Sequence, residues 1–226
     1  INSDSEDDLI AFRNGKRFVS RLERMSHSGN DLTVKDDCTY LITGGLGGLG
    51  ILTAKLIAEK GAKHLILTGR NAEVKESKKI LDEIISTGTD VKIIKADVTL
   101  KEDLDKLFNE IKKSNFPLKG IIHSVGVLDD GVISNQTKEK FDKVMSPKVL
   151  GAWYLHELTK NIELDFFVMY SSVASMLGSA GQSNHSSANA FLDSLAHYRK
   201  SRSLPALSIN WGVWSEIGSA AAKGAD

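Results

Sequence analysis

The stretch from Thr39 to Asn71, TYLITGGLGGLGILTAKLIAEKGAKHLILTGRN, constrains the fold more than any other part of the chain. Tyr40-Leu41-Ile42 is a short apolar run, of a length that suits a buried strand rather than a helix. It runs into Thr43-Gly44-Gly45-Leu46-Gly47-Gly48-Leu49-Gly50, a turn so rich in glycine that another molecule can approach the backbone closely. From Leu49 to Lys60 the apolar residues recur at helical spacing, and Gly61 supplies a C-terminal stop. His64-Leu65-Ile66-Leu67 reads as a second strand. Strand, glycine turn, helix, strand is the unit that binds a dinucleotide, because a helix N-terminus offers free N–H groups and partial positive charge to a pyrophosphate. Gly45-x-Gly47-x-x-Gly50 fits that pattern. The competing reading, a glycine turn that only packs a helix on a sheet, is weakened by the three flanking elements.

Composition narrows the class. With 226 residues, 41% of them hydrophobic, the chain suits one α/β domain with a sizeable core. Zero formal net charge argues against a nucleic-acid surface. The single cysteine, Cys38, excludes an internal disulfide framework and fits a reducing, cytoplasmic compartment. Just ahead of a strand, it reads as structural. No apolar run approaches a membrane span, Ile1 opens no signal peptide, and the lack of an initiator Met suggests a piece of something longer. No metal cluster is expected.

Taken in order, residues 1–8 form an acidic, flexible lead-in. Phe12 to Leu22 reads as two short strands about an Asn14-Gly15 turn, or else as a basic surface segment, and residues 25–37 as a linker. After the second strand comes Thr68-Gly69-Arg70. An acidic residue there would serve the ribose of NAD, whereas arginine suits the 2′-phosphate of NADP; a solvated surface arginine is the competing reading. Lys78 to Thr87 reads as a helix and Val91 to Ala96 as a third strand ending in Asp97-Val98. Asp97 could meet an adenine amine or cap the helix expected over Thr99 to Lys113. A fourth strand is expected over Lys119 to Val127, and a helix from Glu139 to Leu158 interrupted at Ser146-Pro147. A fifth strand, Asp165 to Tyr170, leads into Ser171-Ser172. A glycine loop then precedes a helix over His185 to Arg199, and Pro205 to Trp211 is the sixth strand. This alternation predicts a doubly wound parallel α/β sheet of the Rossmann-like kind over residues 38–226.

Several motifs together carry a resemblance: Thr43 to Gly50, which also fits Thr-Gly-x-x-x-Gly-x-Gly; Thr68-Gly69-Arg70; Ala96-Asp97-Val98; and Val127-Leu128-Asp129-Asp130-Gly131. To these are added Ser146-Pro147-Lys148-Val149-Leu150-Gly151-Ala152, Tyr170-Ser171-Ser172, Ala188-Asn189-Ala190-Phe191-Leu192-Asp193 and Asn210-Trp211-Gly212. From Phe12 to Glu216 the chain resembles the ketoreductase domain of modular type I polyketide synthases, a branch of the short-chain dehydrogenase/reductase superfamily. The resemblance makes residues 1–37 a lead, the tail of a structural subdomain and a linker. It implies NADPH as cofactor, other synthase domains as neighbours, and an acyl carrier protein presenting a phosphopantetheine-tethered β-ketoacyl chain.

Reducing a ketone builds negative charge on its oxygen, so the site needs a hydrogen-bond donor, a proton source and a nearby cation. The resemblance assigns these by position. Ser172 holds the carbonyl oxygen, Lys148 orients the nicotinamide ribose and lowers the proton donor's pKa, and Asn189 holds a relay water. It implies cofactor contacts from Thr43, Gly44, Gly45, Leu46, Gly47, Gly48, Leu49, Gly50, Thr68, Gly69, Arg70, Asp97, Val98, His123, Ser124, Val125, Gly126 and Lys148. Leu128, Asp129, Asp130 and Gln182 are expected to orient substrate. Leu128-Asp129-Asp130 resembles the B-type signature, which sets a D-configured hydroxyl, and the A-type tryptophan is missing beside Gln182. Lys138, Lys140 and Lys143 read as a solvated helix face. One position departs from the pattern. Where family members carry the proton-donating tyrosine, this chain has His185. Imidazole titrates near neutrality and is a competent acid, so reduction of a β-ketoacyl thioester is the expected activity. A catalytically silent structural domain and a free-standing short-chain reductase are the alternatives.

Overall fold

The Asn14-Gly15 dipeptide turns a hairpin of β1 (Ile10–Arg13) and β2 (Lys16–Val19), antiparallel with Ile10 opposite Val19. Asn14 and Gly15 have φ of 51° and 76°, both left-handed, the conformation for which Asn-Gly is favoured in two-residue hairpins. The computed structural model describes residues 7, 10–24, 26, 32–71 and 75–214. The hairpin belongs to one unit, Ile1–Leu32, and all that follows belongs to a second, Thr33–Asp226. Apart from Asp7, the expected lead-in lies outside the described residues, as does much of the expected linker.

In the second unit the apolar runs become six parallel strands. In chain order its elements are β3 (Thr39–Thr43), α1 (Gly48–Glu59), β4 (His64–Gly69), α2 (Lys78–Ser86), β5 (Asp90–Lys95) and α3 (Lys101–Lys112). There follow β6 (Leu118–His123), α4 (Lys138–Thr159), β7 (Phe166–Ser172), α5 (Ala174–Leu177), α6 (Ser183–Ser201) and β8 (Leu207–Trp211). The sheet order is β5-β4-β3-β6-β7-β8. Alternate residues of β3 feed opposite faces, as a strand's period of two requires. Leu41 joins the core under α3, α4 and α6 with Leu104, Leu155 and Leu192. Tyr40 and Ile42 join the core under α1 and α2 with Ile51, Ile57 and Ile84. Each such side chain fully buried contributes about 1.5–3 kcal/mol. At Gly120 a Cβ would run into the rings of Phe166 and Tyr40, which stack with centroids 5.6 Å apart.

Two expectations need correction. The helix expected to break at Ser146-Pro147 runs unbroken as α4. Proline forfeits one backbone bond there, but the residue is buried and its carbonyl accepts from His123 Nε2 at 3.1 Å, holding the helix to the sheet. The last long helix starts at Ser183 rather than His185, and a short α5, absent from the sequence-based expectation, follows β7. Among the described residues no helix is long and apolar enough to cross a membrane.

Strands β3 and β6 lie side by side, but the chain leaves them toward opposite edges of the sheet. Loops diverging from the carboxyl ends of such a pair leave a crevice, the usual ligand position in an open α/β sheet. Gly44 follows β3 there and Ser124 follows β6, joined by Ser124 N–H donating to the Thr43 carbonyl at 3.0 Å.

Candidate active site

Two cavities meet at this crevice, of about 590 and 510 Å³, and both are lined by Gly44, Gly47 and residues 124–126. Their shared wall is the glycine turn. Gly44 has φ of 70°, and a Cβ on it would press on the Ser124 backbone at 3.1 Å. A Cβ on Gly50 would collide with the Gly44 carbonyl and come within 2.8 Å of Ser124 Oγ. Gly47 is the N-cap of α1, no side chain caps the helix, and its first turn carries no acidic residue. Its N-terminal N–H groups and partial positive charge are therefore left to an anion. This donor set fits a dinucleotide pyrophosphate.

The smaller cavity extends toward the ends of β4 and β5, where Thr68, Gly69, Arg70, Asp97 and Val98 line it. Arg70 is exposed and able to swing onto a phosphate. Asp97 Oδ1 accepts from the Thr99 N–H at 2.9 Å and hydroxyl at 2.8 Å. These bonds close a turn ahead of α3; the expected helix cap is not formed, since the N-cap of α3 is Leu100 and no side chain caps it.

The larger cavity holds the residues expected to act on the ketone. Lys148, on α4, is 5% exposed, and its Nζ donates to the Tyr170 carbonyl at 2.7 Å. Burial lowers its pKa to about 8, opposed by the charge of Asp193. Ser172 ends β7, and its Oγ accepts from the Ala174 N–H at 3.2 Å, which leaves the hydroxyl proton to donate. His185 lies in the first turn of α6 and lines this cavity together with Lys148 and Ser172. Tyr170 also lines it, but its hydroxyl is tied to Thr53 Oγ1 at 2.6 Å. Tyr198 lines neither cavity.

Residues 38–216 match the KR domain family. The chain belongs to the ketoreductase (KR) domain family. KR domains of polyketide synthases are oxidoreductases that reduce β-keto groups. This ketoreductase domain is 37% identical over 218 residues to a phenolphthiocerol/phthiocerol polyketide synthase of Mycobacterium tuberculosis, covering 96% of the chain and 12% of that protein. It is 38% identical over 228 residues to polyketide synthase PksN of Bacillus subtilis, covering 97% and 4%. A solved A1-type ketoreductase superposes with a TM-score of 0.90 at 35% identity, over 97% of this chain and 47% of the other. The domain thus spans a small fraction of the length of its curated relatives.

Several residues expected at the site sit elsewhere in this ketoreductase domain. His123 is fully buried and lines neither cavity. Its Nδ1 lies 2.7 Å from Thr43 Oγ1 and its Nε2 3.1 Å from the Pro147 carbonyl. A carbonyl only accepts, so Nε2 carries the proton and Nδ1 accepts from the threonine. Burial, with the charge of Lys148, lowers its pKa to about 3. His123 is thus a neutral strut between the glycine turn and the helix of Lys148. Thr43, Gly45 and Leu46 also line neither cavity; they shape the turn from behind. Asn189 is wholly buried one turn after His185, and its Nδ2 donates to the His185 carbonyl at 2.8 Å.

Leu128, Asp130 and Gln182 line the larger cavity, and Asp129 does not. Asp129 turns outward to Lys143 at 2.7 Å and Lys140 at 3.5 Å, and the Lys143 bond first of all lowers its pKa. Lys138 and Lys143 are exposed, as a solvated helix face requires, and Lys140 is half-buried; Lys140 and Lys143 in addition pair with Asp129, and Lys138 with Asp142. The loop is clasped to the start of α6 as well: Gly131 N–H donates to Gly181 O at 2.8 Å, Gln182 Nε2 to Asp130 at 3.2 Å, and Asn184 Nδ2 to the Asp129 carbonyl at 2.8 Å. Sequence reasoning missed Trp211 and Trp214, which wall the larger cavity with centroids 5.3 Å apart. The signal was the aromatic residue before Gly212 at the end of a predicted strand.

Proposed function

We propose that this chain is the NADPH-dependent β-ketoreductase domain of a cytoplasmic polyketide synthase. It reduces a β-ketoacyl thioester presented by an acyl carrier protein to the β-hydroxyacyl thioester. The observation that carries this function is one cavity lined by Lys148, Ser172 and His185 beside the uncapped, glycine-walled start of α1. NADPH, when bound, supplies the hydride that the carbonyl carbon gains. Gly44 to Gly50 would hold its pyrophosphate, Arg70 its 2′-phosphate and Lys148 its nicotinamide ribose. Ser172 donates to the ketone oxygen, stabilising the charge that develops there. His185 in its protonated form gives that oxygen the proton that completes the alcohol. The buried Asn189 Oδ1 has no hydrogen-bond partner among the described residues, which suits a water that resupplies the proton.

Stereochemistry follows the B-type reading. Leu128 and Asp130 face the substrate space, and residues 181–184, Gly-Gln-Ser-Asn, offer no tryptophan. Solved neighbours described as A-type share the fold, whereas the stereochemical cue sits in loops. The hairpin of β1 and β2 is the tail of the structural subdomain that the family carries ahead of its catalytic part.

His185 in the tyrosine position favours one second reading, a domain that keeps the fold and has lost turnover. Both readings meet the same experiment. A β-ketoacyl thioester is incubated with NADPH or NADH, and nicotinamide oxidation and product configuration are followed. NADPH-dependent formation of the D-hydroxyl product is expected. NADPH binding with no nicotinamide oxidation in the presence of the ketone would leave only the silent fold.

A further inference from the structure

We propose that Asp193 is a positioning residue for this reduction. Through Asn210 its carboxylate fixes the carboxyl end of β7, the segment that carries Ser172 and offers Lys148 its carbonyl partner. The proposal deepens the preceding reading and rests on it, since it takes Ser172 and Lys148 as the groups that act on the ketone.

Asp193 lies in mid-α6 and lines neither cavity, yet two other elements send it three donors. Ser175 Oγ, on α5, donates to Oδ2 at 2.6 Å; Asn210 Nδ2, on β8, donates to Oδ2 at 3.0 Å; Ser208 Oγ, also on β8, donates to Oδ1 at 2.5 Å. An ionised carboxylate accepts on both oxygens and donates nothing, so it satisfies all three. An amide of the same shape would turn its own N–H groups against one set of donors. Burial pushes the Asp193 carboxyl up, but the bonds from Ser175, Ser208 and Asn210 hold its pKa below the ordinary value.

The same Asn210 amide reaches the Ser172 carbonyl at 3.2 Å and Ser171 Oγ at 3.3 Å. Asp193 orients Asn210, and Asn210 holds the strand where it leaves the sheet. Two residues upstream on that strand, the Tyr170 carbonyl takes the Lys148 ammonium. Lys148 therefore hydrogen-bonds a neutral group while buried. The titratable groups around it are His123 on β6, Tyr170 on β7, Asp130 and His185 lining the same cavity, and Asp193 on α6. His123 is neutral, and of these groups Asp193 is the one that raises the Lys148 pKa. The carboxylate that anchors the strand thus also favours the charged form of the lysine.

The test compares Asp193→Asn and Asn210→Ala in the full chain, with two readouts. One is kcat and KM for β-ketoacyl thioester and NADPH across pH. The other is the Lys148 titration followed by NMR of ¹³Cε-labelled lysine, the signal being identified by its loss in Lys148→Met. Asp193→Asn is expected to lower kcat by about 10- to 100-fold with NADPH KM little changed. It is also expected to move both the alkaline limb of kcat/KM and the Lys148 midpoint to lower pH. Asn210→Ala, which keeps the charge, is expected to lower kcat and leave the midpoint in place. An Asp193→Asn protein with wild-type kcat and an unmoved midpoint would overturn the proposal. Should Asp193→Asn fail to fold, unchanged kcat in Asn210→Ala overturns it. Should the wild type reduce no ketone, the preceding reading fails, and the Lys148 midpoint in Asp193→Asn still decides whether Asp193 governs that lysine.

Discussion

His185 stands in the first turn of α6, on the wall of the cavity that Lys148 and Ser172 also line. A phenol is neutral in its acid form, whereas an imidazole must carry a charge to donate. A cation beside Lys148 is disfavoured by like-charge repulsion. The imidazole is also the shorter side chain, and a displacement of order 1 Å at a reacting proton costs about 100-fold. His185→Tyr is therefore expected to raise turnover by up to about 100-fold at unchanged NADPH affinity. Steady-state kinetics beside a binding titration checks this, and equal or lower turnover counts against the donor assignment. At the far end of the crevice Arg70 is exposed on the wall of the smaller cavity. Losing a charge-assisted contact to a 2′-phosphate costs about 1.5–3 kcal/mol. Arg70→Ala should thus weaken NADPH by about 10- to 100-fold and leave NADH nearly untouched; parallel weakening of both would remove the NADPH preference.

Among the elements, α1 with its preceding turn is the least tolerant of change. The approach of Gly50 to the Gly44 carbonyl leaves no room for a methyl group. Gly50→Ala must push the turn away from the helix, at about 1–3 kcal/mol for the forced backbone shift. Thermal unfolding should register that loss, and fluorescence titration should show NADPH binding abolished, because the helix N–H groups no longer face a common point. A Gly50→Ala protein that melts and binds like the wild type would contradict the cradle. This element was legible in the sequence because its requirement is local: glycine where a Cβ has no space. The loop over residues 127–131 was only half legible. Asp129 and Asp130 are neighbours of the same type, yet one pairs with Lys143 while the other lines the cavity and accepts from Gln182. Which one does which depends on a helix that begins several residues later and on Gln182, about fifty positions along the chain.

For the whole molecule, His123 couples the site to stability. Its pKa is lowered from 6.5 to about 3, so below pH 6.5 the unfolded chain binds a proton that the folded protein refuses. Stability from this group is therefore present above the unfolded value. It is lost as pH falls through the window between them, by about 1.4 kcal/mol per pH unit for one proton. Urea unfolding between pH 7 and 4 should show this slope, on the order of one proton, added to that of the paired carboxylates. His123→Asn, which keeps one donor and one acceptor without a titrating ring, should flatten it by about one proton. An unchanged slope would show that His123 is not neutral in the fold.

By itself, the sequence determined what depends on near neighbours: the period of each strand and helix, the glycine turn, the Asn14-Gly15 hairpin, and the strand-turn-helix-strand order of the first unit of the sheet. Backbone dihedrals and hydrophobic spacing impose these within a few residues. Tertiary structure alone decided that His123 braces α4, that α4 passes through Pro147 unbroken, and that Trp211 and Trp214 wall the cavity. It also decided that Asp193 gathers donors from two other elements. Those roles are set by hydrogen bonds and burial between segments tens of residues apart, and a residue's type does not encode which distant partner will be folded against it.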